Sequence, residues 1–238
     1  MKSTVDINKN YSKYYNTGKY LRVYPTEFVM RAFMQTKLPG LHFERPKQDE
    51  TILEIGFGDG RNTVLLLDKG YRVSGVEITQ SICEQTAERL RALGYYNFDL
   101  NVGRNNHLPF EDETFGCLLS SHTSYYLDEG TSFDDNMSEY ARVLKPNGYA
   151  VFDVLRYSPD IKDEINILNN AIKNSDGTVT ITSDPLEIRN GYRFQVFKTT
   201  DEMTKYLSKW FYNFSIGTAD NNFFGVTERT MWVVCQKK

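Results

Sequence analysis

The chain has too few cysteines and histidines, and too little apolar continuity, for several common protein classes. Its three cysteines, Cys83, Cys117 and Cys235, are far apart and odd in number. They make neither a CxxC pair nor an iron–sulfur spacing, so a reducing cytoplasm is the expected setting. The three histidines, His42, His107 and His122, are scattered with no H-E-x-x-H stretch, and no metal site is expected. No run approaches the ~18 apolar residues of a spanning helix, and the opening MKSTVDINKN lacks the apolar core of a signal peptide. A G-x-S-x-G elbow and a P-loop are both missing, which argues against hydrolase and phosphotransferase chemistry. Positive charge is not in excess: the net charge is −3 without a basic stripe, so neither nucleic acid nor a membrane is an expected partner.

What remains is the composition of a globular domain, with 40% hydrophobic and 25% charged residues in a chain of 238. Aromatic residues stand out, with 16 Tyr and 15 Phe. Tyrosines gather near the start, among them Tyr11, Tyr14, Tyr15, Tyr20 and Tyr24. Most such residues pack with a polar tip. Tyr14, Tyr15 and Tyr24 are also candidates to line a substrate pocket.

Residues 52–63 read ILEIGFGDGRNT. Ile52, Leu53 and Ile55 suit a buried parallel strand, and the run after the glycines suits a helix ending at Gly70. Glycines at 56, 58 and 60 therefore sit where a strand hands over to a helix, and backbone can approach a nucleotide there. The dinucleotide pattern G-x-G-x-x-G needs a glycine at the position of Arg61. An adenosyl ligand with an ammonium and a sulfonium, such as S-adenosylmethionine, is the alternative, with Glu54 as a negative charge near the ammonium. An ordinary tight turn is the third reading. Glu77 closes the next strand, 71–77, where an acid accepts hydrogen bonds from both ribose hydroxyls of either cofactor.

From 51 to 155 strands and helices alternate, which implies a parallel sheet covered on both faces. Strands are expected at 98–102, 114–121 and 149–155, with a helix over 133–144 and a turn at KPNG (145–148). The spacing of Ile161, Ile165, Leu168 and Ile172 predicts a helix over 158–175. Residues 178–198 read as a hairpin turning at Asn190–Gly191, and Thr199-x-x-Glu202 as the capping box of a helix near 200–210. Runs near 211–218 and 229–235 are expected to pair antiparallel at one sheet edge. The whole is one domain over 1–238: N-terminal cap helices (1–45), a cofactor-binding core (51–155), a substrate-side insertion (156–200), and a C-terminal helix with edge strands (201–238).

Two further segments, NVGRNNHLPFEDETFGCLLSS and YARVLKPNGYAVF, together with the glycine loop and Glu77, resemble the class I S-adenosylmethionine-dependent methyltransferases. The resemblance covers residues 51–155 in the right order and spacing. It implies an α/β, Rossmann-like sheet of seven strands, mostly parallel with an antiparallel edge hairpin. Helices cover both faces, and cap segments lie at the N-terminus and after the fifth strand. It implies S-adenosyl-L-methionine as cofactor, S-adenosyl-L-homocysteine as product, and binding across the C-terminal ends of the strands. Carried over, Glu54, Gly56, Gly58, Gly60 and Asn62 meet the methionine part, and Glu77 and Ile78 the ribose. Arg104, Asn105 and Asn106 lie by the adenine, and Ser120 stands at the end of the fourth strand. Arg104 replaces the family's usual Asp, and Gly116 replaces another. A shorter likeness, YPTEFVMR (24–31), resembles bacterial small-molecule methyltransferases, some acting on sugars or cell-surface polysaccharides.

Methyl transfer from a sulfonium is a one-step displacement, so the protein's task is alignment and exclusion of water. A base is needed only where the attacking atom must lose a proton. His122, in SSHTSYYL, is the candidate, against an equal reading as a structural histidine; Tyr125 and Tyr126 follow as pocket-shaping residues. The expected partner is a small-molecule acceptor, more readily at oxygen than nitrogen, with Arg22, Arg156 and Arg193 as candidates for a phosphate or carboxylate on it. No N-P-P-Y or D-P-P-Y is present for DNA bases. Protein or RNA methylation, a non-catalytic scaffold and a nicotinamide oxidoreductase are the rival readings.

Overall fold

The apolar run at 52–55 lies in β1 (Thr51–Ile55), hydrogen-bonded on both sides. The structure, a computed structural model, describes residues 7–16, 24–35, 37–157, 171–184 and 187–238. Parallel to β1 run β2 (Arg72–Glu77) and β4 (Phe115–Ser120); β3 (Phe98–Val102) extends the sheet beyond β2, and β6 (Leu144–Arg156) extends it beyond β4. The chain closes on the hairpin β10 (Phe211–Phe223) and β11 (Val226–Lys237), whose second strand pairs antiparallel with β6. The order β3-β2-β1-β4-β6-β11-β10 is thus the expected mostly parallel sheet with a reversed edge hairpin.

Alternation along the strands sorts the core onto two faces. Leu53, Leu118, Phe152 and Val154 pack with Phe133, Met137 and Tyr140 of α5 (Phe133–Val143). Ile52, Cys117, Leu119 and Val151 pack on the other face against α2 (Glu27–Met34) and α3 (Arg61–Asp68). Burial on both faces is why these strands read as continuous apolar runs. Ser132 opens α5 with a full capping box, its hydroxyl accepting from Asp135 N and Asp135 accepting from Ser132 N.

Of the remaining strands, two fall in the hairpin expected over 178–198, and two were not foreseen. These four short strands, β5 (Tyr126–Leu127), β7 (Ala171–Lys173), β8 (Thr178–Ile181) and β9 (Arg193–Phe197), form an antiparallel sheet in the order β5-β9-β8-β7. It joins the end of β6 through Leu155 and Arg156. Among the described residues the count is therefore eleven strands rather than seven, because Tyr126–Leu127 and the segment after β6 form a small sheet of their own. Residues 171–173, expected in a helix, are hydrogen-bonded to β8, and the rest of that expected helix, 158–170, lies outside the described residues. At KPNG the turn is absorbed into the start of β6: Leu144 pairs with Phe115, the register shifts with Asn147 at φ 63°, and Tyr149 pairs with Cys117. The box at α6 (Thr200–Leu207) closes one residue early, Thr199 accepting from Glu202 N while Glu202 accepts from Lys198 N.

α1 (Ile7–Asn16) crosses above the C-terminal ends of the strands, and none of its described side chains is fully buried. Among the described residues no helix is long and apolar enough to cross a membrane.

Candidate active site

A cavity of about 920 Å³ opens at the C-terminal ends of β1, β2 and β4, beneath α1 and beside the small sheet. That volume is near the upper end of the ~300–1,000 Å³ typical of small-molecule sites, enough for two ligands side by side. Its floor is the loop after β1. Gly56 and Gly58 have φ of 69° and 55°, a region costly for side-chain-bearing residues. A Cβ on Gly56 would collide with the Thr123 side chain, and one on Gly58 would lie 2.5 Å from the Tyr15 hydroxyl. The loop therefore offers bare backbone to the cavity, as a cradle for an adenosyl ligand requires.

Glu77 stands at the cavity edge of β2, 8% exposed. Its carboxylate accepts from the backbone N–H of Gly58 at 3.1 Å and of Ile78 at 2.8 Å. Burial raises its pKa, and those two hydrogen bonds offset part of the rise. A carboxylate has about four acceptor sites, so two remain for a diol. Asn62, also on the wall, accepts from Thr26 N at 2.9 Å and ties the start of α2 to the glycine loop.

Several residues singled out in the sequence lie off the wall. Glu54 sits beneath the loop, 2% exposed, where it accepts from the Thr63 hydroxyl at 2.6 Å, and burial pushes its pKa up to about 8. Gly60 caps α3. Ser120 is fully buried and shares hydrogen bonds with Thr123 at 2.8 Å and Tyr140 at 2.9 Å. Asn106 is also absent from the lining, its Oδ1 buried without a hydrogen bond, whereas Asn105 lines the cavity and accepts from the Tyr140 hydroxyl at 2.9 Å. Arg104 lines it too, held by Asp128 and by Asn8 of α1, both at 2.7 Å. The guanidinium that replaces the family's carboxylate thus fastens the helix above the site.

Tyr14 and Tyr15 line the cavity, but Tyr24 is 79% exposed and outside it. Arg22 lies outside the described residues. Arg156 is paired with Asp220, and Arg193 with Asp176; neither reaches the wall, because each side chain is drawn to a carboxylate on a neighbouring strand or turn. Tyr125 and Tyr126 do reach it, Tyr126 accepting from the Tyr11 hydroxyl at 2.8 Å.

His122 also lines the cavity, one residue before the Thr123 that packs on Gly56, in a strained backbone conformation with φ 58°. Strain of this kind costs about 1–3 kcal/mol and persists where neighbours enforce it. Asp153 of β6 is the enforcer. Fully buried, it accepts from His122 N at 2.6 Å through Oδ1, and its Oδ2 lies 2.9 Å from the ring Nδ1. The second contact is at ion-pair distance without hydrogen-bond alignment. Glu228 of β11 adds a carboxylate 3.7 Å from the same nitrogen. Burial lowers the imidazole pKa, but the Asp153 carboxylate, followed by Glu228, outweighs it and the net direction is up. With Nδ1 turned to Asp153, Nε2 is the nitrogen left for a ligand. Asp153 was missed in the sequence, although a lone acid in the apolar run YAVFDVL was its signal; Glu228 gave none. Among the described residues no cluster of three or more metal-ligating side chains exists.

Comparison with known proteins bears on what this cavity holds. Residues 53–152 match the family described as "Methyltransferase domain". The chain is 36% identical over 128 residues to a ubiquinone/menaquinone biosynthesis C-methyltransferase of Haemophilus ducreyi, covering 52% of this chain and 48% of that one. It is 29% identical over 110 residues to an uncharacterized methyltransferase of Bacillus subtilis, covering 44% and 43%. It thus spans less than half the length of these curated relatives. Among solved structures, an S-adenosylmethionine-dependent methyltransferase of Methanosarcina mazei superposes with a TM-score of 0.63 at 20% identity, over 81% of this chain and 94% of that one. Another from Aquifex aeolicus gives 0.56 at 16% identity, over 99% and 100%. Motifs, fold and relatives agree: residues 53–152 match a methyltransferase domain, and the chain has the fold of solved S-adenosylmethionine-dependent methyltransferases.

Proposed function

We propose that the protein methylates an oxygen of a small hydroxylated acceptor, of the kind found in sugars or phosphate-bearing metabolites of cell-surface polysaccharide synthesis. The observation that carries the reading is the His122–Asp153 pair, facing the same cavity as the glycine loop and Glu77. S-adenosylmethionine, when bound, supplies a methyl group already activated by its sulfonium. The residues fit that cofactor: bare backbone at Gly56 and Gly58, two spare acceptor sites on Glu77, and Ile78 and Asn105 beside them.

The chain's own contribution is positioning, exclusion of water and movement of one proton. α1 and its tyrosines roof the cavity, which favours a small acceptor over a protein or RNA segment. Nε2 of His122 takes the hydroxyl proton as the oxygen becomes nucleophilic, and Asp153 stabilises the imidazolium that forms. Beyond His122 the wall mixes the stacked rings of Phe28 and Trp232 with Asn221, Thr227 and Thr230, a lining suited to a ring with hydroxyl groups. A phenol is the second acceptor class; the ring stack favours it, and the same base would ionise it.

The test is methylation of a panel of sugars, sugar phosphates and phenols with labelled cofactor, in wild type and His122→Ala. Label transfer to an alcohol or phenol oxygen that His122→Ala suppresses supports the reading. Transfer only to amines or to protein overturns it.

A further inference from the structure

Arg22, Arg156 and Arg193 carried the sequence expectation of a cation for the acceptor, and none of them is a described part of the cavity wall. Arg189 is part of it. Its guanidinium is fixed from behind by Asp184, 3% exposed, which accepts from Arg189 Nε at 3.1 Å and Nη2 at 2.8 Å. The same carboxylate accepts from the backbone N–H of Ile188 and Arg189, at 3.1 and 3.0 Å. Four donors thus converge on one buried acid, and the arginine is held rigid before any ligand arrives.

In front of Arg189 stand phenols. Tyr126 accepts from the Tyr11 hydroxyl at 2.8 Å, and Tyr192 packs against both rings. A guanidinium has five N–H donors; Asp184 takes two, which leaves three for the cavity side. All four side chains line the cavity, on the side of the small sheet and α1. Tyr125, three residues after His122, stacks on Tyr126 with ring centroids 5.2 Å apart, so the histidine and the phenols beside Arg189 share one wall of the cavity. One molecule lying along Tyr125 therefore meets His122 and Arg189.

We propose that Arg189, with the Tyr126 hydroxyl that Tyr11 orients, is an oxyanion subsite that anchors a phosphate or carboxylate on the acceptor while its hydroxyl meets His122. This rests on the methyltransferase reading and narrows the acceptor to a hydroxylated molecule bearing an anionic group. A forked guanidinium backed by a carboxylate suits such a group better than a lysine, because two parallel N–H bonds fix orientation as well as charge.

Calorimetric titration tests it, with inorganic phosphate, glucose 6-phosphate, glucuronate and glucose as probes, each with and without S-adenosylhomocysteine. Glucose 6-phosphate or glucuronate is expected to bind more tightly than glucose, and the comparison of the two separates a phosphate from a carboxylate preference. Arg189→Gln should weaken that anionic probe by about 10–100-fold, the scale of one or two charge-assisted hydrogen bonds, and change the S-adenosylhomocysteine affinity less than about twofold. Arg189→Lys should recover part of the loss. Tyr126→Phe, which leaves the Asp184 pair intact, should give a smaller loss in the same probe and covers the case where Arg189→Gln fails to fold. Anionic probes that bind no better than glucose overturn the proposal, as does a lower melting temperature in Arg189→Gln with unchanged probe affinity. Loss of S-adenosylhomocysteine binding in step with Arg189→Gln also overturns it, by making Arg189 a cofactor ligand. Failure of wild type to bind S-adenosylhomocysteine sinks the methyltransferase reading instead, and the probes alone still report on Arg189.

Discussion

The two ends of the cavity are built by different means. The glycine-loop end comes from short contiguous stretches, residues 55–62 and 76–78, whose geometry is backbone geometry: positive φ at the glycines and amides donating to Glu77. The histidine end is assembled from distant elements. His122 follows β4, Asp153 comes from β6, Arg189 from the turn before β9, and Glu228 from β11. A site made of local backbone tolerates little change, whereas one made of side chains on separate elements can be rebuilt for a different acceptor without disturbing the first. This contrast makes the cofactor the general feature of the chain and the acceptor its particular one.

The sharpest break in the comparison is expected at the loop. Gly56→Ala forces a Cβ into Thr123 at a left-handed φ, and should cost about 2–5 kcal/mol of stability, from ~1–2 for the backbone and ~1–3 for overpacking. Chemical denaturation measures it; an unchanged midpoint would mean that Thr123 and the loop move apart freely.

Next in size is His122→Ala. With a hydroxyl acceptor kcat should fall by about 100-fold or more, while cofactor affinity stays within about twofold, because the imidazole belongs to the other end. A parallel loss of cofactor affinity would erase the division between the ends.

The pair His122–Asp153 also predicts a pH dependence. The folded-state pKa of His122 is raised above the ordinary ~6.5, so the protonated pair stabilises the fold fully below about pH 6.5 and loses that contribution as pH rises through the raised value. The stability gap between wild type and His122→Gln should therefore narrow upward from pH 6.5. The acid limb of the rate should have its midpoint above 6.5 as well. A gap that widens with pH would show that the imidazole is buried neutral.

The smallest effect belongs to Arg156→Ala. Its partner Asp220 is half exposed and neither residue lines the cavity, so stability should change by about 1 kcal/mol or less and acceptor affinity not at all. A large fall in acceptor affinity would return Arg156 to the site and draw the histidine end wider than described.

Legibility in the sequence follows the same division. Glycines at alternate positions and an acid ending the next strand are local patterns, so the loop, Glu77 and the parallel core could be read directly. The cap could not. The i, i+3, i+4 spacing that ended at Ile172 does not separate a helix from a short strand whose partner lies six or more residues on, and Ala171–Lys173 pairs with Thr178–Ile181. Asn147 at positive φ lets KPNG start a strand instead of only turning. Arg156 was singled out as a cation and Arg189 was not, since nothing in either one's local sequence says that Asp220 claims the first and Asp184 aims the second. Glu54 shows the limit of carrying a motif by position: the acid is present, but Thr63 holds it under the loop rather than at the wall.

The most direct test of the account is calorimetric titration of S-adenosylhomocysteine into wild type and Glu77→Ala. The account predicts one equivalent bound by wild type and a loss of about 2–4 kcal/mol in Glu77→Ala, the worth of two charge-assisted hydrogen bonds to a ribose with partial replacement by water. The variant's melting temperature without ligand should be nearly unchanged, since Glu77 ends its strand and contributes little to the core. An affinity indifferent to Glu77, or a folded wild type that binds NAD and not S-adenosylhomocysteine, would contradict it.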